Sequence, residues 1–163
     1  MITKEQYIKS FVKELEIIKH LAEKITPEML EYRPTEKQRS TLELMQYLGH
    51  ISATAILSFI DPVNNNYGEL AKAKDFITFE NFISKIDEQI KVVTSEVEAL
   101  TDEQLNTEVA FFGMNEKLSM HLLNALKWIT AYKMQLFLYI KANGVSHIGT
   151  SNVWGGYDMP PKE

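Results

Sequence analysis

The sequence contains no cysteine, so disulfide bonds, thiolate nucleophiles and thiolate metal ligands are all excluded. It also lacks a long apolar run. The first residues, MITKEQYIKS, are charged and amphipathic, which is typical of neither a signal peptide nor a membrane span. We therefore expect a cytoplasmic protein without a membrane partner.

Positive charge is scarce as well. The chain has 17 Lys and Arg against 22 Asp and Glu, a net charge of −5 at pH 7. Affinity for nucleic acid is supplied mainly by clustered Lys and Arg, and the sequence shows no such stripe, so we expect no nucleic-acid partner. With 163 residues, of which 45% are hydrophobic and 24% charged, the composition predicts a single globular domain over residues 1–163.

What the sequence does have is an internal repeat, in which the two halves match at an offset of 75 residues (Thr26 to Thr101). Each half predicts a long helix, a short turn and a second long helix, so the whole predicts a duplicated helical hairpin. The matching pairs of positions include Thr26 with Thr101, Glu28 with Glu103, Leu30 with Leu105, Tyr7 with Phe82, Phe11 with Ile86 and Ile18 with Val93.

The predicted fold class is all-α, a four-helix bundle running up-down-down-up, with a long crossover between helices 2 and 3 at residues 61–77. Residues 107–118 fit either a short hairpin or a loop. Residues 145–163 are too rich in Gly and Pro for a helix and form an irregular tail. The four predicted helices are Lys4 to Lys24, Thr41 to Ile60 after a capping box of Ser40 and Glu43, Phe79 to Leu100 capped by Thr78, and Ser119 to Asn143 before Gly144.

Only four histidines are available as metal ligands: His20, His50, His121 and His147. In antiparallel helices, mid-helix His50 lies level with the centre of helix 4. His121 then lies roughly 15 Å away along the bundle axis, at 1.5 Å per residue. The spacing therefore argues against a tri-histidine metal site.

Three short motifs resemble a known group. YRP at 32–34, YLGHI at 47–51 and a long last helix ending in glycine, in this order, are similar to the DinB superfamily over nearly the whole chain. That group includes metal-dependent thiol S-transferases and isomerases, besides members without an assigned activity. The resemblance implies a homodimer and a role associated with stress.

Family members that bind a divalent metal use one helix 2 histidine and a His-x-x-x-His pair on helix 4. His50 matches the first position, but Trp128 and Tyr132 stand where the pair would be. Indole has only an N–H donor and cannot ligate a cation. The chain is therefore interpreted as a divergent member with a degenerate metal site, and we expect no metal and no other cofactor.

Four residues form the candidate ligand pocket: His50, Trp128, Tyr132 and Gln135. On helix 4, spacings of three and four place the last three on one face. One interpretation is a small pocket with an aromatic wall. The other, which we favour, is a core layer in which a neutral His50 is hydrogen-bonded inside the bundle.

These residues leave three functional hypotheses open. The first is a small-molecule-binding or stress-associated accessory protein without a metal. The second is a transferase or hydrolase that uses His50 as a base, with or without a divalent metal. The third is a structural dimer without a ligand site. The sequence names no substrate for any of them.

Two further pairs of residues have alternative roles. Arg33 and Arg39 either bind an anion or, as we expect, pair with nearby glutamates. Trp154 and Tyr157, flanking Gly155 and Gly156, form either a lid or, as we expect, an anchor that packs the tail against the bundle.

Overall fold

The computed structural model describes residues 2–160; residue 1 and residues 161–163, the ends of the predicted domain and tail, lie outside the described residues. The main elements are α1 (Lys4–Ala22), α2 (Thr41–Leu48), α3 (Ile51–Ile60), α4 (Tyr67–Leu70), α5 (Phe82–Ala99), α6 (Asp102–Asn106), β1 (Glu108–Phe111), β2 (Met114–Lys117) and α7 (Leu118–Ala142). Within the described residues the chain also has two short 3-10 helices, at Pro27–Met29 and Ala71–Phe76, and a π-helical turn at Ser151–Gly155.

Helix α1 contacts both helices of the second half of the chain. It runs antiparallel to α5, because Lys19 Nζ lies 2.6 Å from Asp87 Oδ1 at one end and Lys4 Nζ donates to Glu98 O at 3.1 Å at the other. It runs parallel to α7, because Tyr7 OH near its start donates to Leu122 O, also near a helix start, at 2.7 Å.

Helices α2 and α3 form the second column of the bundle and run antiparallel to α7. Tyr139 OH, late in α7, donates to Arg39 O just before α2 at 3.0 Å, while the Phe59 ring at the end of α3 stacks 5.0 Å from the His121 ring near the start of α7. The predicted up-down-down-up bundle is confirmed. His50 lies towards the Tyr132 level, away from His121, as the topology predicts.

The predicted start of helix 2 is confirmed, because Ser40 and Glu43 exchange capping-box hydrogen bonds at 2.7 and 3.2 Å. The predicted start of helix 3 at Phe79 under a Thr78 cap is wrong. Thr78 N donates to Asn81 Oδ1 at 2.8 Å and Asn81 N to Thr78 Oγ1 at 3.3 Å, so these residues close a turn of their own. Helix α5 therefore begins only at Phe82.

The prediction of one uninterrupted helix 2 is also wrong, because it breaks at Gly49 and His50 into α2 and α3. The amide side chain of buried Gln89, from α5, replaces the interrupted backbone bonds. Its Oε1 accepts from Ser52 N at 2.8 Å and Ala53 N at 3.3 Å, and its Nε2 donates to Leu48 O at 2.9 Å. A side chain inserted into the helical ladder is a recognised cause of such a break.

The long crossover has more structure than the sequence indicates. Residues 61–77 contain α4 and the 3-10 turn Ala71–Phe76, neither of which has a buried residue. The segment therefore lies on the surface of the bundle. We call residues 67–76 the crossover strap.

Residues 107–118 form the hairpin that was one of the two predicted alternatives. Strands β1 and β2 pair antiparallel, and Phe112 and Gly113 at the turn both have positive φ, 46° and 78°. The prediction that the tail has no helix is wrong at Ser151–Gly155, which form a π-helical turn, while most of the rest of residues 145–160 is irregular.

Within residues 2–160 the core is mainly apolar, with several buried polar side chains such as Gln89 and one buried charged side chain. Lys133 of α7 is 0% exposed, and its Nζ lies 2.7 Å from Glu14 Oε2 of α1 and 4.8 Å from the centre of the Trp154 ring. The angles between the two charged groups are not those of a hydrogen bond, and neither atom has a hydrogen-bond partner within residues 2–160. Their contact is an ion pair held by charge.

No helix between residues 2 and 160 is long and apolar enough to cross a membrane.

Candidate functional site

His50 lies at the break between α2 and α3 and is 5% exposed. Its Nδ1 lies 3.0 Å from Thr54 Oγ1, one helical turn further along the chain. Its Nε2 has no hydrogen-bond partner within residues 2–160. The contact with Thr54 thus fixes one imidazole nitrogen and leaves the other unpaired.

The Tyr47 ring packs against His50, and Tyr132 and Arg39 pack against Tyr47. The Tyr47 ring meets the imidazole edge-on with centroids 5.8 Å apart, and it lies 4.6 Å from the Tyr132 ring of α7. The guanidinium of Arg39 lies over both tyrosine rings, 4.3 Å from the centre of Tyr47 and 5.7 Å from that of Tyr132. Burial raises the pKa of Tyr47 above its ordinary value, so this phenol is neutral at pH 7.

His50 lines two neighbouring cavities. The first, of about 620 Å³, is polar, and its lining includes Arg33, Lys37, Arg39 and Lys74. The second, of about 390 Å³, is mostly apolar, and its lining includes Ala53, Leu57, Leu70, Ala73, Phe76 and Ile77. His50 is the one residue that the two linings share.

The crossover strap separates the two cavities. Its residues Tyr67, Ala71 and Lys74 line the polar cavity, while Leu70 and Ala73 line the apolar one. The predicted loop is therefore a wall of the site.

Burial lowers the pKa of His50 to about 4, with smaller contributions from the positive charges of Lys74 and Arg39. The imidazole is neutral at pH 7. Below pH 6.5, the ordinary pKa of histidine, His50 is protonated in the unfolded chain but remains neutral in the folded chain. The folded state therefore loses stability as the pH falls from 6.5 towards 4.

We expect His50 to reduce the free energy of unfolding by about 2 kcal/mol on going from pH 7 to pH 5. Urea unfolding of the wild type and of His50→Gln at both pH values measures this contribution. The variant lacks this titration, so its loss of stability is expected to be smaller by that amount. Equal losses in the two proteins would show that His50 titrates normally in the folded state.

The structure brings His50 and Tyr132 together only through Tyr47. Trp128 packs 6.0 Å from the Phe59 ring and lines a narrow crevice with Ile51 and Ser52. Neither Trp128, Tyr132 nor Gln135 lines the two cavities at His50. The candidate pocket of these four residues is therefore not reproduced as one cavity.

Gln135 and the two arginines have other partners. Gln135 Nε2 donates to Tyr139 OH at 2.7 Å. Arg33 pairs with Glu43 at 3.2 Å, as we expected. The same expectation is wrong for Arg39, which forms no ion pair within residues 2–160 because it stacks on tyrosines instead. Sequence reasoning missed Tyr47 and Thr54, although both lie within one turn of His50.

Trp154 and Tyr157, which we expected to anchor the tail, are 57% and 55% exposed, and the Trp154 ring lies 4.8 Å from Lys133 Nζ of the bundle. The buried residues of this turn are Asn152 and Val153. The two exposed rings line a shallow surface cavity of about 1120 Å³ instead, and its lining also includes His147.

The histidines are scattered, as the sequence predicts. His121 Nε2 lies 2.8 Å from Val109 O, near the end of α3 that is far from His50. His20 Nε2 lies 3.0 Å from Asn152 Nδ2 of the tail. Residues 2–160 contain no cluster of three or more His, Asp or Glu side chains able to hold a metal ion.

No protein-family model matches the sequence, and neither does any curated protein. Several solved structures match the fold, and two DinB-like proteins are among them. A DinB-like protein from Bacillus subtilis superposes with a TM-score of 0.70 at 22% identity, over 88% of this chain and 95% of its own. A DinB-like protein from Bacillus cereus ATCC 10987 superposes with a TM-score of 0.61 at 18% identity, over 90% of this chain and 96% of its own. The chain therefore has the fold of the DinB-like proteins.

Proposed function

We propose that this protein binds a small molecule at His50 without a metal or other cofactor. The observation that supports the proposal most strongly is the unpaired Nε2 of a buried imidazole that lines two cavities. Concave sites with a few placed polar groups are typical ligand sites.

The hydrogen bond from Nε2 to the ligand is available in either tautomer. If Thr54 donates to Nδ1, then Nε2–H donates to the ligand; if Nδ1–H donates to Thr54, then Nε2 accepts from it. Thr54 thus orients the ring and the cavities determine which molecule reaches it.

This site disfavours the two other hypotheses. A general base works best with a pKa near the working pH, and the pKa of His50, lowered by burial to about 4, makes it a weak base. A purely structural dimer does not need two cavities at one neutral histidine. We propose a cytoplasmic homodimer associated with stress, on the family resemblance alone.

The test uses three probes with the same aromatic ring: benzyl alcohol, benzamide and benzoate. We expect at least one of them, at millimolar concentration, to shift the ring resonances of His50 in a saturable manner. His121 is an internal control in the same spectrum, because it lies at the other end of α3 and is fully buried. If neither these probes nor an eight-carbon amphiphile such as octanoate shifts His50, or if His121 shifts equally, the proposed site is wrong.

A further inference from the structure

We infer that the ligand is an amphipathic anion with one carboxylate-like group and an apolar chain. The anionic group lies beside Arg39 and Lys74 in the polar cavity, and the chain passes His50 into the apolar cavity. This inference rests on the proposed function and specifies the class of molecule that the site binds.

The polar cavity contains cations that form no ion pair in the described part of the chain, although the charges of Arg39 and Glu43 interact at longer range. Within residues 2–160, Lys37, Arg39 and Lys74 form no ion pair, while Arg33 is paired with Glu43. The carboxylates of Glu36 and Asp75 also line this cavity, but neither is paired with one of the three free cations. The lining as a whole has four cations and three anions, in a chain whose net charge is −5.

Arg39 is the best-placed of these cations. Stacking over Tyr47 at 4.3 Å orients the plane of its guanidinium, and the N–H groups at its edge remain free of carboxylates in the described chain. A planar guanidinium with free edges matches a carboxylate through two parallel hydrogen bonds. Lys74, from the crossover strap, adds a second positive charge near His50.

The apolar cavity has few polar groups left for a ligand. Gln89 is bonded to the backbone at the helix break, Thr54 to His50, and Lys85 to Glu88 at 2.8 Å. The rest of the lining is mainly aliphatic, so the free energy of binding there comes from burying apolar surface.

His50 borders both cavities, and the strap forms the wall between them. The imidazole is neutral, so it neither repels a chain passing beside it nor competes with Arg39 for the anion. The strap above it has no buried residue, so it has little packing to lose when a ligand lies beneath it.

The experiment compares four simple probes: octanoate, 1-octanol, octylamine and acetate. We expect titration calorimetry to detect octanoate binding, with the His50 ring resonances shifted, and much weaker binding of the other three. The affinity for octanoate is also expected to fall as the salt concentration rises, because the contact with Arg39 is electrostatic.

The Arg39→Gln variant is expected to reduce octanoate affinity by about tenfold or more, since a charge-assisted hydrogen bond is lost. Arg33→Gln is the matched control: it removes a cation of the same cavity that Glu43 already neutralises, and affinity stays within about twofold. The thermal unfolding of both variants is compared with that of the wild type. If Arg39→Gln does not fold, the salt dependence on the wild type decides instead.

Octanol binding as tightly as octanoate, tighter binding of octylamine, or equal effects of the two variants would overturn the inference. Any of these results with His50 shifted leaves the proposed function standing. If neither the eight-carbon probes nor the benzyl probes shift His50, the proposed function itself fails.

Discussion

Replacement of Glu14 by leucine is expected to lower the free energy of unfolding by about 3–5 kcal/mol. Lys133 Nζ is fully buried, and Glu14, 2.7 Å away, is the carboxylate that pairs with it. Removing that carboxylate leaves an uncompensated charge in the core, and the Trp154 ring at 4.8 Å replaces only part of the lost attraction. Urea unfolding at pH 7 measures the change.

The matched control is Glu16→Leu on the same helix. Glu16 also pairs with a lysine, Lys19 at 3.2 Å, but its side chain is half exposed, so we expect a change of at most about 1 kcal/mol. The double variant Glu14→Leu with Lys133→Met removes both charges, and its stability should return to the wild-type value or exceed it. A Glu14→Leu variant as stable as Glu16→Leu would show that Lys133 finds another partner or reaches water.

Replacement of Gln89 by leucine is expected to cost about 3–5 kcal/mol, because it leaves two backbone N–H groups and one carbonyl without partners. Those groups belong to Ser52, Ala53 and Leu48 at the helix break. Leucine fills a similar volume, so loss of packing contributes little. Chemical unfolding measures the cost, and the His50 ring resonances report whether the break itself changes.

The control for this substitution is Lys91→Leu, two residues further along α5. Lys91 is exposed and forms no ion pair within residues 2–160, so its change should stay within about 0.5 kcal/mol. Similar costs for the two substitutions would mean that the backbone at the break satisfies itself without Gln89.

The bundle and its topology were predictable because they follow from local signals. The apolar period around Phe11 and Phe82 places the helices, and the capping box at Ser40 marks where helix 2 begins. The helix break was not predictable in the same way. It depends on the Gln89 side chain, which is remote in sequence, and nothing in the residues around Gly49 shows that such a partner exists.

The candidate site was likewise predictable only where it depends on local sequence. His50 follows from its motif, whereas the aromatic and cationic wall depends on tertiary packing between Arg39, Tyr47 and Tyr132. Trp128 shares a helix face with Tyr132 by spacing, but one turn along α7 is enough to place it against Phe59 instead. The strap was missed because the asparagines just before it, at 64–66, and Gly68 within it indicate a loop, while its role as a wall depends on where it lies in the folded chain.

The internal repeat allows the buried Glu14–Lys133 pair to be compared with the residues at the matching positions of the other hairpin. Shifted by the 75-residue offset, Glu14 corresponds to Gln89 and Lys133 to Ser58, so one repeat position supplies both Glu14 and Gln89 to contacts between the hairpins. Two copies of the first hairpin would set Glu14 against Ser58, and two copies of the second would set Lys133 against Gln89. Each such self-pairing buries a lone charge. The two hairpins are thus complementary, and the interior charges disfavour the pairing of two like hairpins.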